Sequence, residues 1–205
     1  MKKRMILSGL LVMAGVLSVA AQDAMSVIRK HYAEAKQKVE QYEKTEEEEG
    51  YTFPLYYEVN IQQNLPGTGP HRENVRMYYW EEDNEDWQPD EPMLFRGLQF
   101  VTYKYNFAAR EFYEEYLYDK KGNIEFVYCR SADMDEYGGE YRLYFKNGEL
   151  FRVLVSTYNL ETEKYEQTYT GTKMPEKYSR EYKSCIYYIK QFKNWFDELD
   201  SHTFH

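Results

Sequence analysis

The dipeptide Asn147-Gly148, flanked by Tyr141-Arg-Leu-Tyr-Phe-Lys and Glu149-Leu-Phe-Arg-Val-Leu-Val, constrains this chain more than any other feature. A two-residue connection between right-twisted strands needs positive φ at both central positions, which asparagine and glycine tolerate and most residues do not. With flanks rich in aliphatic and aromatic residues, the segment reads as a β-hairpin. Just upstream, Tyr116-Leu-Tyr-Asp and Asn123-Ile-Glu-Phe-Val-Tyr flank Lys120-Lys121-Gly122, a slightly longer loop with its glycine at the left-handed position. Glu114 to Tyr158 is therefore two successive hairpins, the central part of a longer antiparallel meander.

The strands before them follow from alternation. Leu55, Tyr57, Val59 and Ile61 alternate with polar neighbours, and Leu65-Pro-Gly-Thr-Gly-Pro closes that strand. Asn74–Glu82 and Leu94–Asn106 are the next two, the latter with Gly97 where a bulge or bend fits. Phe112–Asp119 is the fourth, the hairpins supply the fifth to seventh, and Tyr165–Thr170 offers one more short strand. Helices bracket this meander. Met25, Ile28, Tyr32, Ala35, Val39 and Tyr42 are spaced by threes and fours, predicting a helix over 23–44 that Asp23 caps and that ends before Glu46–Glu49 and Gly50. Pro175 opens a second helix over 176–199, whose seam Tyr178, Tyr182, Cys185, Ile189, Phe192, Phe196 and Leu199 is widened by Ile186, Tyr188 and Trp195. The fold class is thus α+β: a twisted antiparallel meander of about seven strands over 51–170, with both helices packed on one face or paired along their seams. A lipocalin-like barrel with flanking helices is the alternative, because long meander strands can curl and close.

Residues 1–21 read as a secretory signal peptide. Met1-Lys-Lys-Arg is a charged start, Met5 to Ala20 is apolar and small, and Val19 and Ala21 occupy the cleavage positions. The run of about 16 residues is shorter than the ~20 needed to cross a bilayer, so no transmembrane segment is expected once it is cleaved. Residues 22–205 then form one domain, periplasmic or extracellular. The formal charge of −9 over the whole chain becomes more negative when Lys2, Lys3 and Arg4 leave, which argues against nucleic acid as a partner. Low hydropathy is not disorder here, because 23 Tyr, 11 Phe and 3 Trp supply core-forming rings. The two cysteines, Cys129 on a strand and Cys185 on a helix, are either a disulfide or two buried thiols.

No template for a catalytic residue, metal or cofactor fits. The chain has no Gly-x-Ser-x-Gly, His-Glu-x-x-His, Cys-x-x-Cys, P-loop or Gly-x-Gly-x-x-Gly. His31, His71, His202 and His205 lack the spacing of a zinc set. The acidic stretches Glu81–Asp86 and Asp133–Gly139 lack the ligand spacing of a calcium loop. Carboxylates are abundant, but abundance without geometry says nothing about a glycosidase pair. The constellation that stands out is aromatic: Tyr78, Trp80 and Trp87 put flat rings next to carboxylates, the equipment of a sugar-binding surface. The expected function is a non-catalytic binding module holding a glycan or peptide on a Tyr/Trp-rich sheet face. A protein-interaction module, an inhibitor or envelope-assembly factor, would use the same rings as hot spots.

Tyr116-Leu-Tyr-Asp-Lys-Lys-Gly-Asn-Ile resembles one YD-type repeat, the Tyr-Asp-x-x-Gly hairpin of long bacterial shell-forming proteins; the resemblance spans about a dozen residues and implies only a hairpin. Taken whole, the layout is similar to small exported Gram-negative bacterial proteins of unknown function: a leader ending in Ala-Ala-Gln, one helix, a Tyr-rich antiparallel meander and a closing helix.

Overall fold

The computed structural model describes residues 3–49, 55–88, 92–132 and 139–202, the side chains of 3–21, 46–49, 131 and 132 excepted. Within these, eight strands form one sheet: β1 (Tyr56–Leu65), β2 (Gly69–Asp83), β3 (Leu94–Phe107), β4 (Arg110–Tyr118), β5 (Ile124–Ala132), β6 (Gly139–Lys146), β7 (Glu149–Asn159) and β8 (Lys164–Gly171). Each pairs antiparallel with the next in chain order. β1 and β8 are the two edges, so the sheet is open and not a lipocalin-like barrel. The short segment after Tyr158 is a full eighth strand, paired through Tyr158↔Tyr165 and Val155↔Tyr169.

The turns set the pairing next to them, and a one-residue shift in each hairpin, at Leu117/Tyr118 and at Tyr144/Phe145, sets the rest. Asn147 and Gly148 have φ of 52° and 78°, the double positive turn that β6 and β7 require. Between β4 and β5, Gly122 takes φ 79° while the Asp119 carboxylate accepts from the backbone N–H groups of Lys121 and Asn123, both at 2.8 Å. Gly97 has a different role from the bulge expected there. The irregularity falls at Gln99, where Tyr78 pairs with Phe100 and Tyr79 with Leu98. Gly97 lies opposite Trp80, and a β-carbon on it would come within 2.5 Å of the indole ring, so the glycine makes room for the tryptophan.

Helix α1 (Lys3–Glu49) and helix α2 (Ser179–His202) lie on opposite faces of the sheet, which corrects the expectation that they pair or share a face. The cause is in the strands. β4 buries five residues in succession, Glu114 to Tyr118, and Phe100/Val101 and Phe126/Val127 are adjacent buried pairs, so both faces are apolar at the centre and each needs a cover. On the α2 side, Cys185, Phe192 and Phe196 pack on Val75, Met77, Val101, Tyr116, Val127, Leu143 and Val155. On the α1 side, Met25, Ile28, Ala35 and Val39 pack on Tyr78, Phe100, Leu117, Phe126 and Tyr144, with Tyr32 and Tyr42 alongside. Both seams are those read from the sequence.

The helix ends differ. Backbone helix runs from Lys3, so Asp23 lies inside α1, and it continues through the glutamate run to Glu49. Glutamate is a good helix former, and repulsion of a few tenths of a kcal/mol per pair does not unwind a docked helix. The break expected at Gly50 lies outside the described residues. A 3-10 turn (Glu176–Tyr178) follows Pro175 and leads into α2.

Candidate functional site

The α1 face of the sheet is apolar only in part. Cross-strand register sets out its rows: Tyr78, Phe100, Leu117, Phe126 and Tyr144 form the aromatic row under α1. The next rows towards the β3–β4 turn are polar. One runs Glu58, Arg76, Thr102, Glu115, Tyr128, Arg142, and the one beyond it Asn60, Asn74, Lys104, Tyr113, Arg130, Glu140.

Glu115 organises this region. Its side chain is 1 % exposed, and its carboxylate accepts from the Tyr113 hydroxyl at 2.5 Å, the Lys36 ammonium at 2.7 Å and the Tyr32 hydroxyl. Two of these donors come from α1, so the buried carboxylate fixes the helix against the sheet at the boundary of core and polar surface. Burial, reinforced by the Glu115 charge, holds the Tyr32 and Tyr113 hydroxyls far above the usual tyrosine range, so both remain donors.

Tyr113, thus held, is surrounded by cations. Lys36 Nζ lies 6.0 Å from its ring centroid, Lys104 Nζ 5.9 Å and the Arg130 guanidinium 5.9 Å. Lys36 is neutralised by Glu115, whereas Lys104 and Arg130 are exposed and have no ion-pair partner among the described residues. The ring borders a cleft of about 830 Å³, also lined by Asn60, Gln62, Arg72 and Asn74. Asn106 builds its end wall: the side-chain amide donates to the carbonyls of Pro70 at 2.9 Å and Ala108 at 3.2 Å, and its oxygen accepts from the Arg72 backbone N–H at 2.7 Å. The β1–β2 and β3–β4 turns are thereby clasped together. A smaller cavity of about 320 Å³ lies between α1 and the sheet, lined by Ile28, Tyr32, Phe126, Arg142 and Tyr144. Arg142 lies over the Tyr128 ring at 5.3 Å and bonds to Glu140 at 2.8 Å.

The three aromatic residues singled out in the sequence do not converge. Tyr78 is buried beneath α1, its ring parallel to Tyr42 at 6.3 Å. Trp80 fills the space over Gly97, with Lys120 above it at 5.7 Å. Trp87, in the β2–β3 connection, is 44 % exposed. The acidic stretch before it is partly neutralised, Glu81 by Arg96 at 2.6 Å and Glu82 by Lys120. Of the second acidic stretch, residues 133–138 lie outside the described residues, as does His205.

The α2 face holds a different polar group. Glu114, 5 % exposed, accepts from the hydroxyls of Tyr105 at 3.0 Å and Tyr116. Burial pushes its carboxyl above the ordinary range, and the two tyrosine hydroxyls counteract this only in part. Within 4.8 Å of it are the sulfurs of Cys129 and Cys185, themselves 3.1 Å apart and both free thiols in this structure. Nearby, Glu73 accepts from Tyr103 at 2.7 Å and pairs with His71 Nε2 at 2.7 Å. That hydrogen bond raises the His71 pKa against the opposing effect of desolvation. No helix of the described residues is long and apolar enough to cross a membrane. No family model, no curated protein and no solved structure matches this chain.

Proposed function

We propose that this chain is an exported, non-catalytic binding module, and that its ligand is an acidic glycan held in the cleft beside Tyr113. The leader-like residues 1–21 support export. The observation that carries the reading is the pair of cations, Lys104 and Arg130, without an ion-pair partner among the described residues and flanking a tyrosine fixed by a buried glutamate on a chain of net charge −9. The lining carries three cations, Arg72, Lys104 and Arg130, against two carboxylates, Glu73 and Glu111, and Glu73 is paired with His71; on so acidic a protein this local excess of positive charge draws in anions. The cleft volume lies within the range of small-ligand sites, and the amides of Asn60, Gln62 and Asn74 offer both donors and acceptors, which sugar hydroxyls use. Uronate carboxylates match the cations, and hydroxyls match the amides.

The test is calorimetric titration with hexuronate-containing oligosaccharides and their neutral counterparts. Expected are binding of the acidic forms only, weakening as salt rises, and a loss of about tenfold or more in Lys104→Ala/Arg130→Ala with the melting temperature unchanged. A protein-interaction module is the second reading, favoured by exposed Trp87, Met93 and Phe95 around the β2–β3 connection. A stable envelope-protein complex lost in Trp87→Ala, with no glycan titration, would replace the first reading with the second.

A further inference from the structure

We infer that Cys129 and Cys185 are joined as a disulfide in the mature protein, a covalent fastening of α2 to the centre of the sheet. The inference is independent of the cleft and its ligand.

The geometry converges on this bond. Cys129 lies on β5 between Glu114 of β4 and Tyr141 of β6, and Cys185 lies on the buried seam of α2. Their sulfurs are 3.1 Å apart, closer than two thiols ordinarily approach, and the bonded distance of about 2.05 Å is reached by a movement of roughly 1 Å. These are the chain's two cysteines, 56 positions apart, so the pairing has no competitor. Both are buried and held by packing on every side, which fixes the approach of one sulfur to the other.

A metal is the rival use of the same atoms, since a Glu114 oxygen and both sulfurs lie within 4.8 Å. Two zinc–sulfur bonds of ~2.3 Å at the tetrahedral angle hold their sulfurs about 3.8 Å apart, wider than the observed spacing. The Glu114 oxygens, moreover, already accept from Tyr105 and Tyr116. The site is built for two sulfurs in contact with no ion between them.

The oxidant is a disulfide, either a small one such as oxidised glutathione or that of a dithiol oxidase. One cysteine, as thiolate, attacks a sulfur of that disulfide, forming a mixed disulfide and releasing one thiol. The second cysteine, after giving up its proton, attacks the protein-side sulfur of the mixed disulfide, forming Cys129–Cys185 and releasing the second thiol. Two electrons pass from the cysteines to the oxidant, and their two protons end on its thiols or in solvent. In the folded protein this is slow, because the hydrogen bond to Cys185 and burial both suppress ionisation of Cys129. The bond therefore forms as α2 docks, when packing brings the sulfurs together and they are not yet covered, and it is buried afterwards.

The test uses the full chain, unfolded with reductant and refolded in a glutathione redox buffer, then denatured and alkylated without reduction. Expected is a product lighter than the reduced chain by about 2 Da, carrying no alkyl group and yielding one Cys129–Cys185 linked peptide. It should melt roughly 10 °C above its denatured-and-reduced, refolded counterpart, a difference absent from Cys129→Ser/Cys185→Ser. Two alkyl groups on the refolded chain, glutathione held on either cysteine, or zinc retained stoichiometrically by the two thiols would each overturn the inference.

Discussion

The two faces of this sheet are made by the same strands and are used differently. Towards α2 the surface is aliphatic at its centre, with Val75, Val101, Val127, Leu143, Val153 and Val155 completely buried, and the buried core runs across six of the eight strands, β2 to β7. Towards α1 the core is one aromatic row and the helix seam above it, after which the rows turn polar. Among the described residues, seventeen buried side chains belong to the first cluster and nine to the second. One face thus supplies most of the folding energy, and the other is left free to be part core and part cleft. Ligand sites need polar groups that are fixed but not consumed, and a thinly covered face beside a rigid one provides them.

Truncations on the two helices separate the faces. Phe192 of α2 is wholly buried, in contact with the rings of Tyr103, Tyr116, Tyr188 and Trp195. Phe192→Ala is expected to cost about 4 kcal/mol in denaturant unfolding, and Ile28→Ala on α1 about 2 kcal/mol, because the smaller cluster relaxes around the void. Equal losses would mean that the α1 face is as tightly packed as the other and that the asymmetry is only one of area.

Glu115 should have the next largest effect. Glu115→Gln removes the charge that holds Lys36, Tyr32 and Tyr113, and the expected cost is roughly 2–3 kcal/mol, moderated because Lys36 remains partly exposed. The same variant should weaken ligand binding, since Tyr113 loses its anchor; unchanged affinity would show that the Tyr113 ring is positioned by packing alone.

How much of this was legible in the sequence depended on whether the signal was local. The Asn147-Gly148 turn, the Gly122 loop and both helix seams are set by neighbours three or four residues away, and each is found where periodicity put it. The face each helix takes was not legible, because a seam says that a helix needs a sheet and not which side of it. Trp80 read as a ligand-binding ring because acidic residues surround it in sequence. Its partner is Gly97, seventeen positions on, and only cross-strand register brings them together. The cleft was missed for the same reason. Lys104, Tyr113 and Arg130 sit on three strands, and counting back from the well-signalled β4–β5 turn would have put Cys129 opposite Tyr113, because a register shift between Leu117 and Tyr118 moves Arg130 into that place.

The neighbouring residues Glu114 and Glu115 restate the contrast of faces within one peptide, since alternation sends one to each side. Glu115 meets a cation, whereas Glu114 meets, among the described residues, tyrosine hydroxyls and two sulfurs. Burial raises the Glu114 pKa above its unfolded value. For a group so shifted, the native state binds the proton more tightly than the unfolded chain, so its contribution to stability is full below the unfolded pKa and is lost as pH rises through the folded one. Glu114→Gln fixes the neutral form and keeps an acceptor for a tyrosine hydroxyl. The variant is expected to match the parent in acid, to be more stable at neutral pH by less than about 1 kcal/mol, and to lose this part of the pH dependence. If chemical unfolding across that pH range shows the parent's slope unchanged in Glu114→Gln, then Glu114 is ionised in the fold and the α2 face is less dry than its packing indicates.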